Sequence, residues 1–176
     1  MKLHALGSSV LTAGAMALAV FLGSGQARAA DPIIIGAAIA LSGPIAPYDE
    51  GPYKAMEVAV DEINAKGGVL GRPLKIVYAD TKSDISYGAS AAQQVIDQGA
   101  AMVVVTCDYD YGSAAANVAN SKNLIAFSTC AGDPKFGPAG IGPNAFTMAT
   151  GSPGQAALMA QLAFKQAWKR ADTLQD

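Results

Sequence analysis

The chain has 176 residues, of which 51% are hydrophobic and 15% are charged. This composition is typical of a globular domain and excludes a disordered segment, while the length allows one ordinary domain with a leader. The formal net charge of −2 provides no basic face for phosphate groups, so no nucleic-acid partner is expected.

Residues 1–29 have the pattern of a cleavable signal peptide. Lys2 and His4 form a short polar start, residues 15–22 are an unbroken apolar run, and residues 27–29 (Ala-Arg-Ala) match the small-x-small motif of a cleavage site. The apolar run is much shorter than the ~20 residues that span a bilayer. The pattern therefore predicts export to the periplasm with removal of the leader.

The mature domain, residues 30–176, would contain no histidine, because His4 is the only one in the chain. A Ser-His-Asp triad, a Cys-His pair and a histidine metal site are thereby excluded. A carboxylate or a lysine remains available as a base, so catalysis is disfavoured but not excluded. No metal and no cofactor is expected.

Short apolar runs alternate with helical patterns through the mature domain. Strands are predicted at residues 33–41, 74–79, 101–106, 124–128 and 145–149. Helices are predicted at residues 53–66, 86–98, 112–121 and 153–168. This alternation predicts an α/β fold with a parallel, doubly wound sheet that is covered on both faces.

Ligands of such sheets bind beyond the carboxyl ends of the strands, where the strand order reverses. The loops to consider are therefore residues 42–50, 80–84, 107–111 and 129–138. The first loop contains two prolines and lacks the glycine motifs of dinucleotide and phosphate sites. Because proline removes amide donors, a dinucleotide cofactor is not expected.

Two cysteines follow adjacent predicted strands. Cys107 comes after the third strand and Cys130 after the fourth. Neighbouring parallel strands lie ~4.8 Å apart, which suits the Cα separation of a disulfide, and an exported protein folds in an oxidising compartment. A disulfide between Cys107 and Cys130 is favoured, and two free buried thiols are the alternative.

Two motifs stand out: residues 42–46 (SGPIA) after the first strand, and residues 61–74 (DEINAKGGVLGRPL) between the first helix and the second strand. Together they resemble the type I periplasmic binding proteins, in particular the branched-chain amino-acid and amide group that serves ABC importers. The match runs from about Ile33 to the end of the chain and corresponds to the N-terminal lobe. The resemblance implies a small-molecule ligand held between two lobes and permease subunits of an importer as partners.

The resemblance also implies a ligand site on this lobe. Tyr48 matches an aromatic residue that packs on the ligand, and Asp108 stands where a serine usually binds the ligand carboxylate. Cys130, Ala131 and Gly132 match the loop after the fourth strand, in which backbone groups meet the ligand. Tyr109 either faces the ligand or forms part of the cleft wall.

Two of these positions differ from the family pattern. Asp108, when ionised, would repel a carboxylate, and Gly132 replaces a threonine hydroxyl. An amine, amide, alcohol or aromatic solute therefore suits the site better than a plain branched-chain amino acid. The alternative is that Asp108 points away, where it pairs with Lys135 or caps the following helix.

Family members are about twice as long as this chain, so a second lobe is expected to be missing and the isolated chain to be oligomeric or poorly soluble. Two other functions stay open. One is an extracellular sensing domain of a receptor, which uses the same fold. The other is a small exported α/β enzyme with Asp108 or Asp110 as its base.

Overall fold

A computed structural model describes residues 30–170 and 172, so the predicted signal peptide lies outside the described residues. Every predicted helix and strand of the mature domain is present. The strands are β1 (Ile33–Ile39), β2 (Leu74–Asp80), β3 (Ala100–Val105), β4 (Ile125–Ser128) and β5 (Ala145–Thr147). The helices are α1 (Ala46–Ala65), α2 (Gly88–Asp97), α3 (Tyr109–Ser121) and α4 (Ser152–Lys165), with a short 3₁₀ turn at Ile85–Tyr87 before α2.

The five strands form one parallel sheet in the order β2-β1-β3-β4-β5. This arrangement confirms the predicted α/β fold with a parallel sheet. The strand order reverses between β1 and β3, because the chain passes from β1 outward to β2 and then returns past β1 to β3. The carboxyl ends of β1 and β3 are therefore the place where a ligand site is expected.

One face of the sheet, here called the closed face, is packed against α2 and α3. Its side chains are small: Val103 and Ala126 on the sheet and Val95 on α2 are fully buried. Gly36 of β1 is required here, because a Cβ at this position would lie 2.7 Å from Cγ2 of Val95. The small residues let the two helices approach the sheet closely and form the main core.

The other face, here called the open face, is covered only in part by α1. Tyr53 of α1 packs edge-on against Tyr78 of β2, with the ring centroids 5.9 Å apart. Helix α1 does not extend over β4 and β5. Ile125 of β4 and Phe146 of β5 are therefore 44% and 48% exposed. The expectation of a sheet covered on both faces is thus met in full on the closed face and in part on the open face.

Helix α1 begins seven residues before the predicted start, at Ala46 rather than Tyr53. Of the two prolines that suggested a loop, Pro44 precedes the helix and only Pro47 lies within it. Pro47 lies in the first turn, where no intrahelical amide donor is needed. Pro52 lies inside the helix and removes one hydrogen bond, to the carbonyl four residues earlier.

Helix α4 differs from the others because none of its residues is buried. Leu158, Leu162 and Phe164 are all exposed, and so is Trp168 beyond its end. Among the described residues no helix has the length and apolar character that a membrane crossing requires.

Candidate functional site

A cleft of about 530 Å³ lies at the carboxyl ends of β3 and β4. Three segments line it: Cys107–Asp110 after β3, residues 130 and 132–134 after β4, and the first turns of α4. The cleft thus brings together four of the predicted ligand residues, namely Asp108, Tyr109, Cys130 and Gly132. It lies where the parallel sheet is expected to bind a ligand.

The predicted disulfide joins the two loops that form the cleft. Cys107 and Cys130 are bonded, with their Cα atoms 4.8 Å apart, and they lie 23 residues apart in the sequence. Their strands, β3 and β4, are hydrogen-bonded neighbours. The alternative of two free thiols is therefore not what the structure contains, and the relative position of the two loops is held covalently.

Asp108 is the N-cap of α3. Its Oδ1 accepts a hydrogen bond of 2.8 Å from the amide of Asp110, so the capping alternative considered from the sequence is present. Capping starts α3 at Tyr109, three residues before the predicted start. Because the cap uses Oδ1 alone and Asp108 is exposed in the cleft wall, capping and ligand binding are compatible.

Tyr109, the first residue of α3, lines the same cleft beside Asp108. The ammonium of Lys135 lies over its ring, 5.9 Å from the centroid. At this distance the cation–π contact between Lys135 and Tyr109 is weak.

Ser128, the last residue of β4, holds the loop that follows this strand through hydrogen bonds. The hydroxyl of Ser128 donates to the carbonyl of Cys107 at 3.1 Å and accepts from the amide of Ala131 at 3.0 Å. Ala131 is only 1% exposed and does not line the cleft. Of the predicted residues in this loop, Cys130 and Gly132 therefore face the cleft, and Ala131 supports it.

Gly132 packs against the start of α4. Its carbonyl accepts from the amide of Ser152 at 2.8 Å, and a Cβ at position 132 would lie 2.9 Å from the Ser152 hydroxyl. Sequence reasoning treated the missing threonine at this position as a lost hydroxyl. The structure places the hydroxyl of Ser152 next to Gly132, and this serine was not predicted because it is distant in sequence.

Tyr48 lies in the first turn of α1 and is 64% exposed. It is not among the residues that line the cleft after β3 and β4. Its role as an aromatic ligand contact stays a prediction.

The cleft is rich in carboxylates. Asp133 lines it together with Asp108 and Asp110, although sequence reasoning did not identify Asp133. Within residues 30–170 and 172, no group of three or more His, Cys, Asp or Glu side chains has an arrangement that could hold a metal ion. Acceptors in this number favour a ligand that donates hydrogen bonds or carries positive charge.

Two further carboxylates hold the end of β1, and sequence reasoning missed both. Asp49 accepts from the amide of Ala40, and Asp80 accepts from the amide of Leu41 and from the hydroxyl of Ser42. Burial raises the pKa of Asp49 despite its hydrogen bonds. Burial also acts to raise the pKa of Asp80, but the hydrogen bonds that Asp80 accepts outweigh it and lower that pKa.

Comparison with known protein families gives one extended match. The family model described as "Periplasmic binding protein" matches residues 32–172, which include the whole sheet and the cleft.

Two curated relatives illustrate the similarity. A Leu/Ile/Val-binding protein homolog of Brucella melitensis is 29% identical over 150 residues, which are 85% of this chain and 40% of the relative. The Leu/Ile/Val-binding protein of Escherichia coli K12 is 38% identical over 94 residues, which are 53% of this chain and 24% of the relative. The chain thus spans less than half the length of these relatives.

Solved structures agree with this similarity. An ABC transporter substrate-binding protein from Desulfitobacterium hafniense, in complex with Leu, has a TM-score of 0.66 and 28% identity, covering 77% of this chain and 39% of that one. A branched-chain amino acid transporter substrate-binding protein from Streptococcus pneumoniae, in complex with isoleucine, has a TM-score of 0.56 and 31% identity. The match covers 58% of this chain and 30% of that one.

Proposed function

Because the chain belongs to the periplasmic binding protein family, we propose that residues 30–176 form the N-terminal lobe of a solute-binding component of an ABC importer. The lobe contributes one side of a cleft that captures a small solute in the periplasm. The relatives with bound leucine and isoleucine support binding of an amino-acid-like solute. The permease subunits of the importer are the membrane partners, and the role is binding rather than catalysis.

The cleft at the ends of β3 and β4 is the observation that carries the proposal. Its two loops are joined by the disulfide, and Ser128 bonds to both of them. A site whose walls are held in this way loses little conformational freedom when a ligand binds. Asp108, Tyr109, Cys130 and Gly132 are the ligand contacts in this proposal, with Tyr48 as an additional aromatic contact.

The proposed ligand differs from a plain branched-chain amino acid because it has no free carboxylate. Asp108, Asp110 and Asp133 place acceptors around the cleft, and an unpaired ligand carboxylate would be repelled by them. An amine or amide presents N–H donors to the same groups. The proposed class is therefore a small amine or amide with an apolar or aromatic body, which Tyr109 can contact.

Calorimetric titration of the whole chain with L-leucine, L-leucinamide and isopentylamine tests this proposal. The three probes share an apolar body and differ in whether they carry a carboxylate. We expect the amide and the amine to bind more tightly than leucine. Substitution Asp108→Asn should weaken amine binding by about tenfold or more, because a hydrogen bond to a charged acceptor is lost.

Asp84→Asn is the matched control. Asp84 caps the 3₁₀ turn through the amide of Ser86 much as Asp108 caps α3, but Asp84 lies outside the cleft. Loss of amine binding in Asp108→Asn alone would support the assignment. Leucine binding more tightly than both other probes would refute the ligand class, and binding of none of the three by a well-folded chain would count against the solute-binding role.

A further inference from the structure

Asp49 is a buried carboxylate that the proposed ligand contacts do not include. It lies in the first turn of α1 and is only 2% exposed. A carboxylate in the first turn interacts favourably with the positive end of the helix dipole. Its carboxylate oxygens, however, bond to the sheet rather than to the helix that carries it.

The two oxygens of Asp49 bond to the ends of two different strands. Oδ2 accepts from the amide of Ala40, just after β1, at 2.8 Å, and Oδ1 accepts from the amide of Cys107, just after β3, at 2.9 Å. Asp49 therefore joins β1, β3 and α1 at the place where the strand order reverses.

The bond to Cys107 connects Asp49 to the cleft. Cys107 lines the cleft, precedes Asp108 in the chain and is bonded to Cys130 on the opposite loop. A change in the position of the Cys107 amide would move the Asp108 cap and one end of the disulfide together. Among residues 30–170 and 172, the amide of Cys107 has no other acceptor.

We propose that Asp49 is a positioning residue of the ligand cleft, which sets the segment Cys107–Tyr109 relative to α1 and β1. This role rests on the proposed function, because it acts on the same cleft. Asp49 touches no ligand and acts through the backbone of Cys107. Removing one of its two oxygen acceptors leaves either Ala40 or Cys107 without its buried partner, which is costly in a dry environment.

Asp80 provides a matched control within the same chain. It too bonds to the end of β1, through the amide of Leu41 and the hydroxyl of Ser42. Asp80 also accepts from the amide of Lys82, on its own loop, and none of these three bonds reaches the segment after β3. Asp49→Asn and Asp80→Asn each replace a carboxylate that holds β1, but only Asp49→Asn changes a group bonded to Cys107.

Amide hydrogen exchange followed by NMR on the whole chain is the first measurement. In Asp49→Asn we expect at least one of the amides of Ala40 and Cys107 to exchange about 10- to 100-fold faster. This factor corresponds to the loss of a hydrogen bond to a charged group. The amide of Asp108 should shift its resonance. In Asp80→Asn, Cys107 should keep its wild-type exchange rate. Wild-type exchange and resonances for Cys107 and Asp108 in Asp49→Asn would overturn the proposal.

Titration of the same proteins with L-leucinamide and isopentylamine is the second measurement. The proposal expects weaker binding in Asp49→Asn than in Asp80→Asn when the two are compared at temperatures equally far below their melting points. If the wild type binds a probe and Asp49→Asn binds it equally well, the positioning role is wrong. If the wild type binds neither probe, the proposed function fails, and the exchange data still decide whether Asp49 holds the segment after β3.

Discussion

The two faces of the sheet are built from the same five strands and differ in how they are covered. On the closed face, Val103 meets α2 and α3 and is fully buried, whereas its neighbour Met102 points to the open face and is half-buried. The closed face uses alanine, valine and glycine, which let helices approach closely. The open face carries larger side chains, such as Phe127 and Phe146, that α1 alone does not cover. Packing, more than hydrophobicity, therefore separates the two faces.

The largest expected effect comes from overfilling the closed face. In Gly36→Val, the new Cβ would lie 2.7 Å from Val95 Cγ2 and 2.8 Å from the Cβ of Ala100. Overpacking of this kind costs about 1–3 kcal/mol, and we expect the upper end because both neighbours belong to the core. Urea unfolding measures the change. Gly51→Ala, at an exposed position of α1 where a Cβ meets nothing within 4 Å, is the control and should not destabilise the chain.

Truncation of neighbouring residues on β3 compares the faces directly. Val103→Ala removes fully buried methyl groups from the closed face, and the lost burial plus the cavity should cost about 2 kcal/mol. Met102→Ala removes more atoms from the half-buried open face, yet solvent fills the space beside α1. We expect a smaller cost than for Val103→Ala. An equal or larger loss for Met102→Ala in the same urea titrations would show that the open face is covered in solution.

Polar substitutions on the open face should change association more than stability. Ile125 and Phe146 lie on adjacent strands, and each exposes nearly half of its side chain. Replacing both with threonine should alter the free energy of unfolding by no more than about 0.5 kcal/mol each, as is usual for surface sites. Sedimentation velocity should show less self-association in the double variant. A wild type that is monomeric at all concentrations would contradict this expectation.

The smallest expected effect is the opposite pH response of the two carboxylates at the end of β1. The pKa of Asp49 is raised by burial, so its contribution to stability is fully present below its unfolded pKa and is lost as the pH rises through its folded pKa. The pKa of Asp80 is lowered, so its contribution is present above its unfolded pKa and is lost as the pH falls through its folded pKa.

Urea titrations from pH 3 to pH 7 check these signs. Asp49→Asn should remove a decrease in stability that sets in as the pH rises above about 4, and Asp80→Asn should remove a decrease that sets in as the pH falls below about 4. The same sign of change in both variants would show that the two sites do not differ in the way described.

Local patterns predicted most of the elements because periodicity and turn residues act over short distances. Glycines that end helices and apolar runs of β-branched residues located the strands to within two residues. The misplaced starts of α1 and α3 have specific reasons. Pro44 and Pro47 indicated a loop in the sequence, although Pro47 lies in the first turn of α1. The start of α3 depends on the side chain of Asp108, whose orientation the sequence does not reveal.

Only the part of the candidate site that follows from the order of strands and helices was predicted from the sequence. Cys107 and Cys130 were paired correctly because they follow strands that alternate with helices, and that alternation implies neighbouring parallel strands. Asp133 and Ser152 were missed because nothing near them in sequence indicates a cleft. Asp49 was missed because its role comes from amides that are 9 and 58 residues away in the chain.

The sequence by itself determined the α/β class, the parallel sheet, the disulfide and the family resemblance, since these depend on periodicity, on the strand ends and on short motifs. Only the tertiary structure decided which face of the sheet is closed, which loop residues line the cleft and which carboxylate joins β1 to β3. These features depend on contacts between residues far apart in the chain. Their geometry is determined by packing and by the need to pair every buried polar group.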